Sequence, residues 1–203
     1  MIRMGDTAAR ALTCLEEIAQ QKGLDDVSMR DVARHMGISL AALQHHYPTK
    51  ADLFDAFVGE SLDRYRDRIT RIQEQSPSQE RFVRVLDFLA RETLLVARGG
   101  VLAMIEARAF HDEPSLRAMQ RFTRSYIEGV ADLLAAEFPQ LPRDRVLLCA
   151  TLVCSQLEGL ATTHEVACAM GADRSDLIHA AVQVAASIPA SFMPSSANGS
   201  VSG

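Results

Sequence analysis

The chain reads as an all-α protein of about nine helices, a three-helix head followed by a larger helical body. Three observations predict this. Apolar residues recur at helical spacing along most of the 203 residues, and no alternating run argues convincingly for a strand. Helix-start signals recur as well: Ser28 with Asp31, Thr49 with Asp52, Ser76 with Gln79, and Asp173 with Asp176. Composition agrees, since aromatics make up only 5% of the residues, Trp is absent, and Ala, Leu and Arg dominate.

Taken in order, the first helix runs from an N-cap at Asp6 to Lys22, with an inner stripe of Ala8, Leu12, Leu15, Ile18 and Ala19. Ser28 caps a second helix whose apolar face is Val32, Ala33 and Met36, and Gly37 stops it. Ser39 caps a third, Leu43 and Tyr47 pack beneath it, and Pro48 ends it. A fourth helix starts at Thr49 on a stripe of Leu53, Phe57, Leu62, Tyr65, Ile69 and Ile72; at about 1.5 Å per residue it spans roughly 35–40 Å. The fifth opens at Ser76-Pro77 and stops at Gly99-Gly100. A short helix covers about 101–110, and Pro114 opens another that ends near Glu137. From Arg143 to Met170 the pattern is at first apolar almost all round, which predicts a helix covered on several sides. Gly171 ends it, and Asp173 caps a last helix reaching Ile188. The expected organisation is a head at 1–50, a body at 51–188, and a charge-free, Ser- and Gly-rich disordered tail at 189–203.

The net charge of −5 argues mildly against indiscriminate nucleic-acid binding, but its distribution matters more. Residues 1–50 hold six Lys/Arg against six Asp/Glu, and residues 51–203 hold fifteen against twenty. Arg3, Arg10, Arg30, Arg34 and Lys50 can gather on one side of a neutral head, while Asp25 and Asp26 sit on a loop. The four cysteines show no C-x-x-C pairing and read as small buried hydrophobes. Neither a signal peptide nor an uninterrupted membrane-length stretch is seen, so a cytoplasmic protein is expected.

Ala33, Gly37 four residues on and Leu43 six further have the spacing of a helix-turn-helix, whose second helix enters the DNA major groove. The likeness goes further. Gly23, the run Ser28 to Ala33, Gly37-Ile38-Ser39, and His46-Tyr47-x-x-Lys50 followed by Leu53 occur in order, so that Arg10 to Leu53 resembles the N-terminal domain of the TetR family of bacterial transcriptional regulators.

That resemblance implies a homodimeric regulator, by default a repressor, released from a palindromic operator by a small-molecule effector. The implied DNA-binding residues are Arg30, Ser39, Leu40, Ala41, Ala42, Gln44, His45, His46 and Lys50. Their types suit the role. Lys50 and the backbone amides around it suit phosphate, Arg30 a phosphate or guanine, Gln44 an adenine edge, and Ala41 and Ala42 thymine methyls. Two positions depart from the family. Ala41 stands where a Gly or another small residue is usual, and Gln44 stands where a phosphate-touching Tyr is usual. Gln44 therefore reads a base or leaves that contact unmade. By the same resemblance the last two helices pair two chains, through Leu157, Leu160, Ala161 and His164 on one and Leu177, Ala180, Ala181 and Val184 on the other. The effector pocket is expected among Phe88, Met104, Phe110, Met119, Phe122, Tyr126 and Gln156, with Glu106, Arg108 and His111 as polar anchors. Ordinary core and a solvated face explain the same residue types.

An alternative is a helical dimeric adaptor whose helix-turn-helix docks a protein partner instead of DNA. A small helical enzyme is a weaker third reading. No phosphate loop, G-x-S-x-G or H-E-x-x-H motif is present, and no cofactor or metal is expected. His45-His46 and His111-Asp112-Glu113 are adjacent in sequence and so lack metal-ligand spacing on a helix.

Overall fold

A computed structural model of the chain describes residues 4–23, 26–97 and 101–193. Among the described residues it holds nine α-helices, one short 3-10 turn and no strand. The helices are α1 (Met4–Lys22), α2 (Met29–Met36), α3 (Leu40–His46), α4 (Lys50–Gln75), α5 (Ser78–Ala97), α6 (Val101–Ala109), α7 (Glu113–Glu137), α8 (Arg143–Ala169) and α9 (Arg174–Ser187). Two compact units result. One comprises residues 1–68 and 92–125, the other 69–91 and 126–203.

In the first unit a single core gathers the inner stripes of the head. Leu12, Leu15, Ile18 and Ala19 of α1 meet Val32, Ala33 and Met36 of α2, Leu43 of α3, and Leu53, Phe54, Phe57 and Val58 of α4. Ile105 of α6 and Ala118 of α7 complete it. Ion pairs lie over this core, with Arg121 Nη2 2.7 Å from Asp55 Oδ1 and Arg68 Nη1 2.9 Å from Glu92 Oε1. Exposed pairs of this kind contribute at most about 1 kcal/mol each, so apolar burial is the main support.

The second unit is built on the antiparallel pair α8 and α9, turned by Gly171 at φ +102°. Val153, Leu157 and Leu160 of α8 are buried, as are Ile178, Ala181 and Val182 of α9. In the same unit Phe82 of α5 meets Phe138 edge to face, ring centroids 5.0 Å apart.

Several boundaries differ from the sequence expectation. α1 begins at Met4, so Asp6 lies inside the helix and does not cap it. α5 begins at Ser78, with Pro77 just ahead of it. The stop expected at Gly99-Gly100 falls outside the described residues. At the far end residues 188–192 form a 3-10 turn with Pro189 buried, packed on α8 and α9. Residues 189–192 of the expected tail are thus ordered, Pro189 and Phe192 being apolar enough to dock. Residues 194–203 lie outside the description.

The start of α8 is the largest departure. Instead of being covered on several sides, it leaves Leu147, Leu148 and Leu152 exposed at 61%, 45% and 43%, with Val166 and Met170 further along. α8 is long and apolar enough to cross a membrane by length and composition alone, although Ser155, Gln156 and Glu158 interrupt it, in keeping with the sequence reading. Its buried residues Cys149, Val153 and Leu157 pack within the protein, which accounts for part of that apolar character.

Leu43 is completely buried at the centre of the first unit's core. Leu43→Ala should cost about 2–5 kcal/mol of stability. Thermal or denaturant unfolding measures this, and an exposed control such as Ala41→Ser should change it little.

Candidate nucleic-acid interface

The geometry of the α2–α3 pair follows from local chemistry. Ser28 sits in extended backbone, its Oγ accepting from the Asp31 amide at 3.2 Å, while the Ser28 amide donates back to Asp31 Oδ2 at 2.9 Å. These reciprocal bonds satisfy orphan donors at the helix start. Lys22 Nζ also donates to Asp31, at 2.9 Å, and ties the end of α1 to the start of α2. Hydrogen bonds from Ser28 first, and then from Lys22, hold the Asp31 carboxyl well below the usual carboxylate range.

Gly37 then turns the chain with φ +70°, a left-handed conformation that costs any residue with a Cβ about 1–2 kcal/mol. The Ile38 amide closes the corner on Ala33 O at 3.0 Å. Ser39 caps α3, its Oγ accepting from the Ala42 amide at 3.1 Å. Two longer contacts fasten the pair to α1: Tyr47 Oη donates to Ala8 O at 3.3 Å and Arg10 Nη2 to Met36 O at 3.4 Å. Arg10, expected among the gathered cations, thus bonds a carbonyl at the end of α2. Arg3 lies outside the described residues.

With Leu43 inward, the rest of α3 is turned out. Ala41, Ala42, Gln44 and His45 are exposed, Leu40 and His46 half-buried, and the cap Ser39 and Arg30 of α2 exposed. At the start of α4, Thr49 and Asp52 form a second reciprocal cap, the Thr49 amide donating to Asp52 Oδ2 at 2.8 Å and the Asp52 amide to Thr49 Oγ1 at 3.1 Å. Half-buried Lys50 stands with Nζ 5.3 Å from the centroid of the Phe54 ring. Burial pulls its ammonium below the ordinary lysine range. The DNA-contacting set expected from sequence thus occupies an accessible face.

The other expected sets scatter. Met104, Met119 and Phe122 pack partly buried against the first unit's core, while Phe110 is 82% exposed. Arg108 lies 3.6 Å from Asp112, which caps α7 by accepting from the Ser115 amide at 2.9 Å; Glu106 and His111 are exposed. Phe88, Tyr126 and Gln156 belong to the second unit, where Phe88 lines an open cleft of about 500 Å³ together with Ile72, Val83, Val182, Gln183 and His179. Of the expected interface residues, Leu157, Leu160, His164 and Ala181 are buried within the chain. Ala161 and Leu177 are half-buried, and Ala180 and Val184 exposed. Their apolar neighbours on α8, Leu148, Leu152 and Val166, went unmarked. Helical periodicity alone does not separate an outer apolar face from an inner one.

A rigid head, a glycine corner and an outward-facing second helix define a helix-turn-helix DNA-binding protein. Residues 15–57 match the model for "Bacterial regulatory proteins, tetR family". No curated protein matches the chain in sequence. Among solved structures, a transcriptional regulator from Rhodococcus sp. Rha1 is 20% identical with a TM-score of 0.67, over 91% of this chain and 96% of that one. A TetR transcription regulator from Haloarcula marismortui is also 20% identical, with a TM-score of 0.66 over 94% and 100%. A third, the TetR transcriptional regulator from Legionella pneumophila, is 18% identical with a TM-score of 0.64 over 91% and 98%. The chain is a DNA-binding transcriptional regulator with a TetR-family head, and its fold is that of such regulators along most of its length.

The Asp31 cap carries a pH dependence. Its folded carboxyl titrates below its unfolded value of about 4. The stabilisation is therefore present at neutral pH and lost as the solution is acidified through the folded value. Asp31→Ala should lower the melting temperature at pH 7 and flatten its fall on the acid side. Thermal melts from neutral to acidic pH read this directly.

Proposed function

We propose that the protein is a homodimeric repressor that binds an inverted-repeat operator through two copies of α3 and leaves it when a small molecule binds the body. The observation that carries this reading is the outward face of α3, where Ala41, Ala42, Gln44 and His45 are exposed beside Arg30 and Lys50. One such face touches too few base pairs for useful specificity, and two on a two-fold axis read paired half-sites. Proposed roles follow residue type. Gln44 reads a base edge; Arg30, His45, His46 and Lys50 hold phosphate or base; Ala41 and Ala42 admit close approach.

Pairing of the chains is proposed through the outer faces of α8 and α9. Leu148, Leu152 and Val166 on α8 and Ala180 and Val184 on α9 are exposed, and small Gly159 lies on the same length of α8. A patch of this kind marks an association surface. The expected set is thereby reduced to its outward members, with Leu157, Leu160, His164 and Ala181 serving as the core behind them. The proposed effector is a small amphipathic molecule suited to the second unit's cleft, where Ile72, Val83, Phe88 and Val182 are joined by polar and charged groups including Arg84, Asp87, Arg91 and Gln183. Its differential affinity for the two states would shift the population away from DNA.

Binding to the DNA upstream of the gene, followed by fluorescence anisotropy over a series of salt concentrations, tests this. A sequence-specific, salt-sensitive complex with a short inverted repeat is expected; no complex at low salt would instead favour a protein-docking role. Gln44→Ala should relax preference at one position per half-site by about 1–3 kcal/mol. Lys50→Ala should weaken all sequences alike and reduce the salt slope by about 1. Leu152→Glu should convert the dimer to monomer in sedimentation, and operator affinity should fall with it.

A further inference from the structure

Cys14 and Glu17 stand three residues apart on α1, the spacing that brings two side chains to one face, and His35 comes from the last turn of α2. The Cys14 sulfur, a Glu17 carboxylate oxygen and a His35 ring nitrogen all lie within 4.8 Å of one another. His35 Nε2 is 3.0 Å from Glu17 Oε2. An ion pair accounts for two of these groups. Cys14, which also packs against the first unit's core, brings its thiol to the same point. Thiolate, imidazole and carboxylate are the three ligand types that zinc accepts, at about 2.0–2.3 Å. Those bond lengths separate neighbouring ligands of a tetrahedron by roughly 3.5 Å, against a present spread of up to 4.8 Å.

We propose that Cys14, Glu17 and His35 bind a zinc-class divalent cation that bridges α1 and α2 with three protein ligands and one position open to water. Cys14 is half-buried and the other two are exposed, so the cation reaches the site from solvent. Binding exchanges the thiol proton for the metal and takes the neutral imidazole, the proton passing to water. Burial first, and then the Glu17 carboxylate, push the Cys14 thiol up, while Arg10 opposes them. The cation must therefore displace a firmly held proton, and binding weakens as the solution is acidified. The same two helices are joined by the bond from Arg10 to Met36 O. A cation here stabilises the head by mass action and adds a further tie between α1 and α2 beside the Lys22–Asp31 and Arg10–Met36 contacts.

Titration of the full-length, reduced protein with Co²⁺ tests the site. A thiolate-containing tetrahedral complex gives a sulfur-to-cobalt charge-transfer band and strong visible absorption, saturating at one equivalent per chain and bleached by Zn²⁺. Cys14→Ser should abolish the charge-transfer band, and His35→Gln should weaken Zn²⁺ affinity by at least about tenfold. Cys168→Ser should leave both unchanged. Zn²⁺ should raise the melting temperature of the wild-type protein but not that of Cys14→Ser. Absence of the charge-transfer band, its survival in Cys14→Ser, or unchanged Zn²⁺ affinity in His35→Gln would each overturn the assignment. If Cys14→Ser does not fold, the exposed His35→Gln variant decides the matter alone.

Discussion

The glycine corner between α2 and α3 is the constraint on which the rest of the head depends. Gly37 takes a left-handed backbone, and that single dihedral sets the angle at which the second helix leaves the first. Ala33 and Leu43 are then buried on the inner side of the corner. Once Leu43 faces inward, helical geometry leaves no choice for the remaining six residues of α3, and Ala41, Ala42, Gln44 and His45 turn outward. Function at this end of the molecule is thus a by-product of packing at one apolar position. Tyr47 and Arg10 only hold the result against α1 through backbone carbonyls.

The head was legible in the sequence because its determinants are local. A cap at Ser28, a glycine nine residues later, a cap at Ser39 and an inward leucine each act within a turn or two of chain, so their spacing survives translation into structure. The same holds for Asp173 and Gly171 around the last turn between long helices. Properties that depend on distant neighbours were harder to read. The periodicity of α8 reports apolar faces but not what covers them, so its first turns read as enclosed although Leu147, Leu148 and Leu152 are exposed. Cys14 and His35 lie on different helices, and no residue pattern announces that α1 and α2 bring them together.

The two faces of α8 divide the work of the second unit. Cys149, Val153 and Leu157 point into the protein, and burial pushes the Cys154 thiol up to about 12, which makes it an inert packing group at neutral pH. The outer face is mixed, with Leu147, Leu148, Leu152 and Val166 exposed among polar residues such as Ser155, Glu158 and Thr162, and wetting the apolar ones is costly. Three exposed leucines and a valine at about 1.5–3 kcal/mol per fully buried side chain are a substantial drive toward association. On the proposed pairing, a second chain would cover that surface.

Electrostatics press in the same direction. Lys22 and Arg34 lie against Asp31, and Arg10 bonds a main-chain carbonyl, so several of the head's cations are engaged within it. The basic groups beside or on α3 are Arg30, Lys50 and two histidines. Each phosphate neutralised contributes roughly 0.9 to the slope of log affinity against log salt, and the protein's net charge of −5 adds no general attraction to DNA. Two heads on one duplex double the count while adding no surface charge to either chain. On the proposed reading, pairing two chains would raise the number of phosphate contacts that a single α3 makes.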